Sequence, residues 1–253
     1  MLIFLPPSET KAFPAGTAPV GIGSLVLPEL APTRARLLEA LVTLARGPEP
    51  EALAALGLST GQAGELAHNA GLGSAPAGPA AEVYTGVLYD ALDLPALRGA
   101  EDRVLIFSGL WGVVRPGDRI PHYRCSAGVK LPGIGSVSAA WRRELRGPLA
   151  AHADGQLVVD LRSGAYAALW APGPNAVTVR VLHERETGRS VVSHFNKATK
   201  GRLARALLES GQRPGKPDEF TDLLRALGYT VEPGPPNRGP NPPTALDIVV
   251  RDL

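Results

Sequence analysis

The sequence predicts an α/β protein in which helices flank a mixed β-sheet, with residues 1–253 forming a single domain. Two observations lead to this fold class. Short apolar runs bounded by turn residues alternate along the chain with amphipathic stretches of helical period. Most of these runs are continuously apolar rather than alternating, which is typical of strands buried on both faces of a sheet.

The apolar runs give the strands in order. The first, LIFL at 2–5, lacks the basic flank and the cleavage site of a signal peptide, so we interpret it as a buried strand. The turn HERETG joins the runs on either side of it into a hairpin, which makes the sheet mixed. The other predicted strands are 103–107, 157–161, 176–182, 190–195 and 246–250.

Three amphipathic stretches predict helices between these strands. Leucines recur on one face of 33–46, and 200–210 and 218–228 show the same period. Each of the latter two ends at or just before a glycine, the residue that most often terminates a helix. The proline-dense segment 232–243 predicts a mobile loop before the last strand.

The composition and net charge of the chain exclude several kinds of site and function. Apolar residues make up 44% of the chain, and the formal net charge is only +2, so any affinity for nucleic acid must come from local patches. Cys125 is the sole cysteine, which excludes an intrachain disulfide and a cysteine-built zinc site. The five histidines lack ligand spacing, and no apolar stretch is long enough to cross a membrane. We expect a cytoplasmic protein without metal, cofactor or membrane association.

Five blocks of the chain share a distinctive order and spacing: LPPSETK (5–11), VYTG (83–86), SGLWGVVRPGDRIPHYR (108–124), VVDLRSGAY (158–166) and SHFNKATKGRLAR (193–205). Together they resemble the YaaA family of peroxide-stress proteins. The resemblance implies an α/β body with a helix-hairpin-helix-like element, a role in limiting oxidative damage during peroxide stress, and DNA binding. It implies no catalytic mechanism, and it extends to about residue 230.

The glycine-rich, basic segment 109–150 is interpreted as a helix-hairpin-helix-like subdomain. A tight turn with two glycines lets backbone amides approach a phosphate, and the following helix directs its N-terminus at the same anion. From 98 to 150 there are nine Lys/Arg against four Asp/Glu. The alternative is a plain turn, because apolar residues at odd positions from 123 to 131 predict a strand there. The proposed DNA contacts in this segment are Gly133, Ile134, Gly135, Ser136, Arg142 and Arg143.

A second basic block, 189–216, has seven Lys/Arg against one acidic residue. Lys200 and Arg202 lie near a predicted helix start, where they could bind further DNA phosphates. The alternative reading is a solvated helix face.

A ligand pocket is predicted at the carboxyl ends of the strands. PPSETK follows the first strand and SGL follows 103–107, and ligands of α/β proteins bind at such ends. The hydroxyls and cations there suit a phosphate, nucleotide or carboxylate, although each residue alone could cap a turn. The candidates are Ser8, Thr10, Lys11, Tyr84, Thr85, Ser108, Arg115 and Tyr123.

Asp160 and Lys197 are the candidate catalytic residues of an enzyme acting on a nucleotide, nucleoside or base in DNA. Asp160 ends a predicted strand and would stabilise a sugar cation, while Lys197 would act as a nucleophile. Asp160 could instead cap the turn that follows. The sequence thus leaves three functions open: a DNA-binding stress protein, an enzyme with a pocket, and a structural domain.

Overall fold

A mixed eight-stranded sheet forms the centre of the protein in the computed structural model, which describes residues 1–185, 188–190, 193–237 and 240–250. The α/β class is confirmed. The strands are β1 (Leu2–Leu5), β2 (Gly78–Pro79), β3 (Val104–Ser108), β4 (Gly112–Val114), β5 (Arg119–Ile120), β6 (Lys130–Leu131), β7 (Gly135–Ser136), β8 (Val158–Asp160), β9 (Ala176–Arg185), β10 (Gly188–Ser190), β11 (Thr230–Pro233) and β12 (Thr244–Val250).

The sheet order is β11-β12-β9-β8-β1-β3-β4, with β10 paired to β9. The five inner strands are parallel, while β4, β10 and β11 run antiparallel to their neighbours. Every residue of β1, β3 and β8 is buried, as their continuous apolar character predicts. Two small antiparallel pairs, β2 with β5 and β6 with β7, lie outside this sheet.

The helices agree with the predicted ones in part. The stretches 33–46 and 218–228 are helical, but 200–210 is only the end of a longer helix that begins at Ser193. The predicted strand 190–195 is therefore wrong beyond its first residue; 191–192 lie outside the described residues. The helices are α1 (Ala31–Ala45), α2 (Glu49–Leu56), α3 (Gly64–Ala70), α4 (Ala80–Val83), α5 (Val87–Leu92), α6 (Val137–Glu144), α7 (Arg146–Ala153), α8 (Gly164–Ala167), α9 (Ser193–Glu209) and α10 (Pro217–Ala226).

The helix-hairpin-helix-like insertion is not confirmed. Residues 121–129 contain no helix, and the residues before the hairpin form strand β6, so only the second helix, α6, is present. The alternating apolar residues explain this, because the side chains at the odd positions from Tyr123 to Leu131 are buried. They belong to the same apolar core as the central sheet.

The order of the strands creates a crevice beside β1. The chain passes from β1 to β3 on one side, and later returns to place β8 on the other side of β1. Where the chain connections from neighbouring strands run to opposite sides, a gap opens at the carboxyl edge of the sheet. Doubly wound sheets bind ligands in this gap. Phe4 pairs with Asp160, so the segments after β1 and β8 emerge side by side. Among the described residues, no helix combines the length and apolar character needed to cross a bilayer.

Helices α5 and α9 pack closely through a glycine. A Cβ atom added at Gly201 would overlap the backbone carbonyl of Leu88 and lie 2.9 Å from Cβ of Ala91. Only a residue without a side chain allows this contact, which brings the first turns of α9 over the carboxyl edge of the sheet.

We expect Gly201→Ala to lower the free energy of unfolding by about 1–3 kcal/mol, because the added methyl group forces the helices apart. Urea denaturation measures the change. Gly147→Ala is the matched control: Gly147 is also helical, has no heavy atom within 4 Å of an added Cβ, and should leave stability unchanged or raise it. Equal behaviour of the two variants would contradict the packing role.

Candidate ligand-binding site

A cavity of about 550 Å³ lies at the carboxyl edge of the sheet, in the crevice between β1 and β8. Its wall comes from the segment after β1, the start of α5, the turn after β8 and the first turns of α9. The polar side chains among its lining are Ser8, Glu9, Thr10, Thr85, Ser163, Tyr166, Asn196, Lys197 and Lys200.

Three of the predicted pocket residues line this cavity. Ser8 and Thr10 come from the segment after β1, and Thr85 precedes α5. Their hydroxyls are joined locally: Oγ of Ser8 lies 3.1 Å from Oγ1 of Thr10, which donates to the carbonyl of Thr85 at 3.2 Å. The rim is thus a hydrogen-bonded loop, held by polar contacts between segments far apart in sequence.

Three other predicted residues form a buried network away from the lining of the cavity. The hydroxyl of Tyr123 lies 2.8 Å from that of Tyr84 and 2.6 Å from Oγ of Ser108. Oγ of Ser108 also accepts hydrogen bonds from the amides of Leu110 and Trp111, which fixes the turn after β3. Burial raises the pKa of Tyr84 to about 12, so this network is made of neutral hydroxyls.

Lys11 lies between the network and the rim. Its Nζ donates to the carbonyl of Ser8 at 2.6 Å and stands 4.5 Å from the ring centroid of Tyr123. Burial lowers the pKa of Lys11 to about 8, against an opposing contribution from Glu9. Lys11 is outside the cavity lining, and its role in the described contacts is to hold the rim loop.

Arg115 is not brought to this site. Strand β4 runs antiparallel to β3, with Ser108 paired to Gly112 and Ile106 to Val114. Arg115 therefore lies toward the opposite edge of the sheet from Ser108. The sequence prediction placed both in one pocket because a reversal of the chain at residues 109–111 was not foreseen.

Helix α9 supplies the cations of the cavity. Nζ of Lys200 donates to the carbonyl of Leu161 at 3.1 Å, and burial lowers the pKa of Lys200, against an opposing contribution from Asp160. Lys197 is exposed at the cavity wall. Neither lysine forms an ion pair with a carboxylate within the described ranges, and Oδ1 of the neighbouring Asn196 is buried without a hydrogen-bond partner. Lys200 thus lines the cavity, whereas Arg202, the other residue of this block predicted to contact DNA, is exposed.

Asp160 is not free for catalysis. Its two oxygens accept from Nε and Nη2 of Arg162 at 2.8 and 2.6 Å, and both side chains are buried. Asp160 is also absent from the lining of the cavity, where Lys197 lies. The structure therefore does not assemble the predicted pair of Asp160 and Lys197, because the carboxylate is occupied by a guanidinium two residues away.

Some of the backbone donors in and beside the hairpin predicted to hold DNA phosphates are occupied within the protein. The amide of Ile134 donates to the carbonyl of Leu131 at 3.1 Å, and that of Val137 to the carbonyl of Val129 at 3.0 Å. Oγ of Ser136 accepts from the amide of Ala139, capping α6. Gly133 and Gly135 both have positive φ, as a two-glycine turn requires, and both are exposed together with Arg142 and Arg143.

Sequence reasoning missed Ser163, Tyr166 and Asn196 as cavity residues. All three lie in blocks already singled out, VVDLRSGAY and SHFNKATKGRLAR, and they follow a strand end or begin a helix. These residues could have been identified from the sequence, because they lie in the same blocks just after Asp160 and just before Lys197. Within the described ranges, no three His, Cys, Asp or Glu side chains converge in a way that could hold a metal ion.

The protein is thus of the α/β class. Its central strands are parallel, and a cavity lined by two lysines lies at the switch point of the sheet, the place where such folds bind ligands. The family model described as peroxide stress protein YaaA matches residues 1–234, and the chain belongs to this family. A UPF0246 protein of Streptomyces coelicolor is 51% identical over 262 positions that cover 100% of both chains.

Two corynebacterial relatives extend this similarity. A UPF0246 protein of Corynebacterium efficiens is 45% identical over 92% of this chain and 95% of its own length. Another from Corynebacterium glutamicum is 41% identical over 99% of this chain and 100% of its own. The whole fold, including the cavity, lies within the aligned length of the latter.

The depressed pKa of Lys11 predicts a pH-dependent stability. The folded protein releases this proton near pH 8, whereas the unfolded chain keeps it to its ordinary value of 10.5, so the stability that Lys11 contributes rises with pH across that window. We expect the difference in unfolding free energy, wild type minus Lys11→Met, to rise by about 2 kcal/mol between those two pH values. Urea denaturation at the two pH values measures this difference, and the exposed Lys216→Met variant is the control. If the difference between wild type and Lys11→Met does not change with pH, the prediction is wrong.

Proposed function

We propose that this member of the peroxide stress family works by binding a small phosphorylated ligand of nucleotide size in the cavity between β1 and β8. The observation that carries the proposal is Lys200, a largely buried amine in the cavity wall that has a carbonyl but no carboxylate as its partner among the described residues. Buried charges in proteins are normally paired, so an anionic ligand supplies the missing counter-charge.

The other donors of the wall support a phosphate rather than a cation. Lys197 adds a second ammonium group on the same helix face, one turn before Lys200. The hydroxyl of Tyr166 accepts from the amide of Ala127 at 3.4 Å, which leaves its own proton for an acceptor on the ligand. A phosphate group, with several acceptor oxygens and up to two charges, matches this set of donors.

The opposite side of the wall is apolar and suits a ring. Pro6, Pro7, Leu88 and Tyr89 line it, and the Tyr89 hydroxyl donates to the carbonyl of Pro6, which fixes the aromatic ring. A volume of about 550 Å³ is in the range of pockets that hold molecules with a ring and a charged group. A nucleotide, or a nucleoside bound more weakly, fits these two halves.

An enzymatic activity on such a nucleotide, nucleoside or base in DNA is the alternative form of this proposal. Since Asp160 is occupied by Arg162, the amines of Lys197 and Lys200 are the candidate nucleophiles of this alternative. Ligand binding is the step that both forms share, and it can be tested alone.

We expect adenosine 5′-monophosphate to bind the wild-type protein and to bind Lys200→Gln about tenfold more weakly or worse, because a charge-assisted contact is lost. Titration calorimetry measures both, with inorganic phosphate and adenosine as the separate halves of the probe. Lys216→Gln, an exposed lysine at the start of α10, is the matched control and should bind like wild type. Equal affinity of wild type and Lys200→Gln would overturn the proposal.

DNA binding is a second candidate function, supported by the charge of the hairpin face. Lys130, Arg142, Arg143 and Arg146 are all exposed around the exposed turn at Gly133 and Gly135. Arg143 pairs with Glu144 at 2.8 Å and Nε of Arg142 donates to the carbonyl of Ala168, so part of this charge is already engaged. The remaining donors suit phosphates of a DNA backbone without reading its sequence.

If the hairpin face binds duplex DNA, replacing Arg142 and Arg143 together by Gln should reduce the slope of log affinity against log salt by about 2, one unit for each lost phosphate contact. Fluorescence anisotropy at several salt concentrations gives the slope. Arg225→Gln, which breaks the exposed pair with Asp222 on α10, is the control. An unchanged slope in the double variant, or no duplex binding by wild type at low salt, would exclude this face.

A further inference from the structure

One carboxylate stands in the wall of the cation-lined cavity. Glu9 lies in the rim loop after β1, and it is the only acidic residue among the lining side chains of the described chain. The ammonium groups of Lys197 and Lys200 would give the wall two positive charges, and an unpaired Glu9 carboxylate would reduce that net charge to one. It would also repel any phosphate held by the two lysines.

Arg124 pairs with this carboxylate in two ways. Its Nη2 lies 3.0 Å from Oε2 of Glu9, and its Nη1 donates to the backbone carbonyl of the same residue at 2.9 Å. The guanidinium therefore fixes both the main chain and the side chain of the rim at this point. Arg124 itself is outside the cavity lining, so it acts on the cavity through Glu9.

The position of Arg124 is set by a buried amide. The fully buried side chain of Asn69, on α3, accepts from the backbone amide of Arg124 at 2.9 Å and donates to its carbonyl at 2.8 Å. Both backbone groups of Arg124 are thus satisfied by one side chain. The residue is held in place before any ligand arrives, which is what a selective contact requires.

We propose that Arg124 determines the anion selectivity of the cavity by pairing Glu9 and so leaving the ammonium groups of Lys197 and Lys200 to the ligand. This inference rests on the proposed function of the cavity. Arg124 is a positioning residue, and the ligand class it selects is a phosphate monoester over its uncharged parent. Without Arg124, the Glu9 carboxylate either repels the phosphate or pairs with a lysine, and both outcomes weaken anion binding.

A double-mutant cycle tests this role. Binding of adenosine 5′-monophosphate is measured by calorimetry for wild type, Glu9→Gln, Arg124→Gln and the double variant. Arg124→Gln should weaken binding about fivefold when Glu9 is present, the size expected for one exposed charge contact, and less than about twofold when residue 9 is Gln. Adenosine, which has no phosphate, should bind all four proteins equally.

The outcomes separate the inference from the proposed function. An Arg124→Gln effect of equal size in both backgrounds would overturn the inference, since Arg124 would then contact the ligand or hold the loop by its bond to the Glu9 carbonyl. No effect in either background would overturn it as well. Both results leave the proposed function of the cavity standing if Lys200→Gln weakens binding about tenfold or more, as expected above. Thermal melting checks folding. If Arg124→Gln unfolds, Glu9→Gln alone decides: a Glu9 carboxylate paired by Arg124 predicts that this variant does not lose phosphate affinity and gains less than about fivefold, the size of one exposed charge contact, and a larger gain would overturn the inference because Glu9 would then oppose the anion despite Arg124.

Discussion

The buried ion pair between Asp160 and Arg162 is the interaction on which the cavity depends. The guanidinium binds both oxygens of the carboxylate, donates to the carbonyls of Tyr166 and Trp170, and stacks 4.1 Å from the ring centroid of Phe107. The turn after β8 is therefore folded around one cation, which places Tyr166 in the cavity wall. Loss of either partner would leave an uncompensated charge in the core, a change that costs several kcal/mol in comparable sites.

The opposite rim is held by a second polar anchor. Asn69 fixes the backbone of Arg124, and Nδ1 and Nε2 of His122 lie 3.1 Å from the carbonyl of Lys11 and from a carboxylate oxygen of Glu65, respectively. Helix α3 thus controls the loop after β1 through two residues of the irregular segment between β5 and β6. The backbone N–H and C=O groups of an irregular segment have no neighbouring strand to bond to, so side chains supply their hydrogen bonds. The crevice between β1 and β8 is consequently a rigid gap with polar anchors on both sides.

The sequence predicted the parts of this arrangement that depend on local patterns. Continuous apolar runs located β1, β3 and β8, and Ser8, Thr10 and Thr85, which the sequence predicted at strand ends, line the cavity at the carboxyl edge of the sheet. The predictions failed where a partner decides the role of a residue. The sequence predicts a catalytic carboxylate at Asp160, whereas in the structure this residue is buried and paired with Arg162. Arg115 lies away from the predicted pocket because the chain reverses direction between β3 and β4. The start of α9 was not predicted, because the apolar run SVVSHF at 190–195 has the composition of a strand.

The hairpin face and the cavity wall are both candidate anion sites, and they differ in the free-energy cost of burying their charges. The exposed arginines of the hairpin face keep their hydration and partly pair with neighbours, so their presence requires no ligand. Burial lowers the pKa of Lys200 against the opposing effect of Asp160, and its described hydrogen-bond partner is a neutral carbonyl, so the charged form of this amine is disfavoured in the folded protein. Burying an uncompensated cation lowers stability unless binding gives it a partner. The proposed anion binding therefore rests on the cavity rather than on the hairpin.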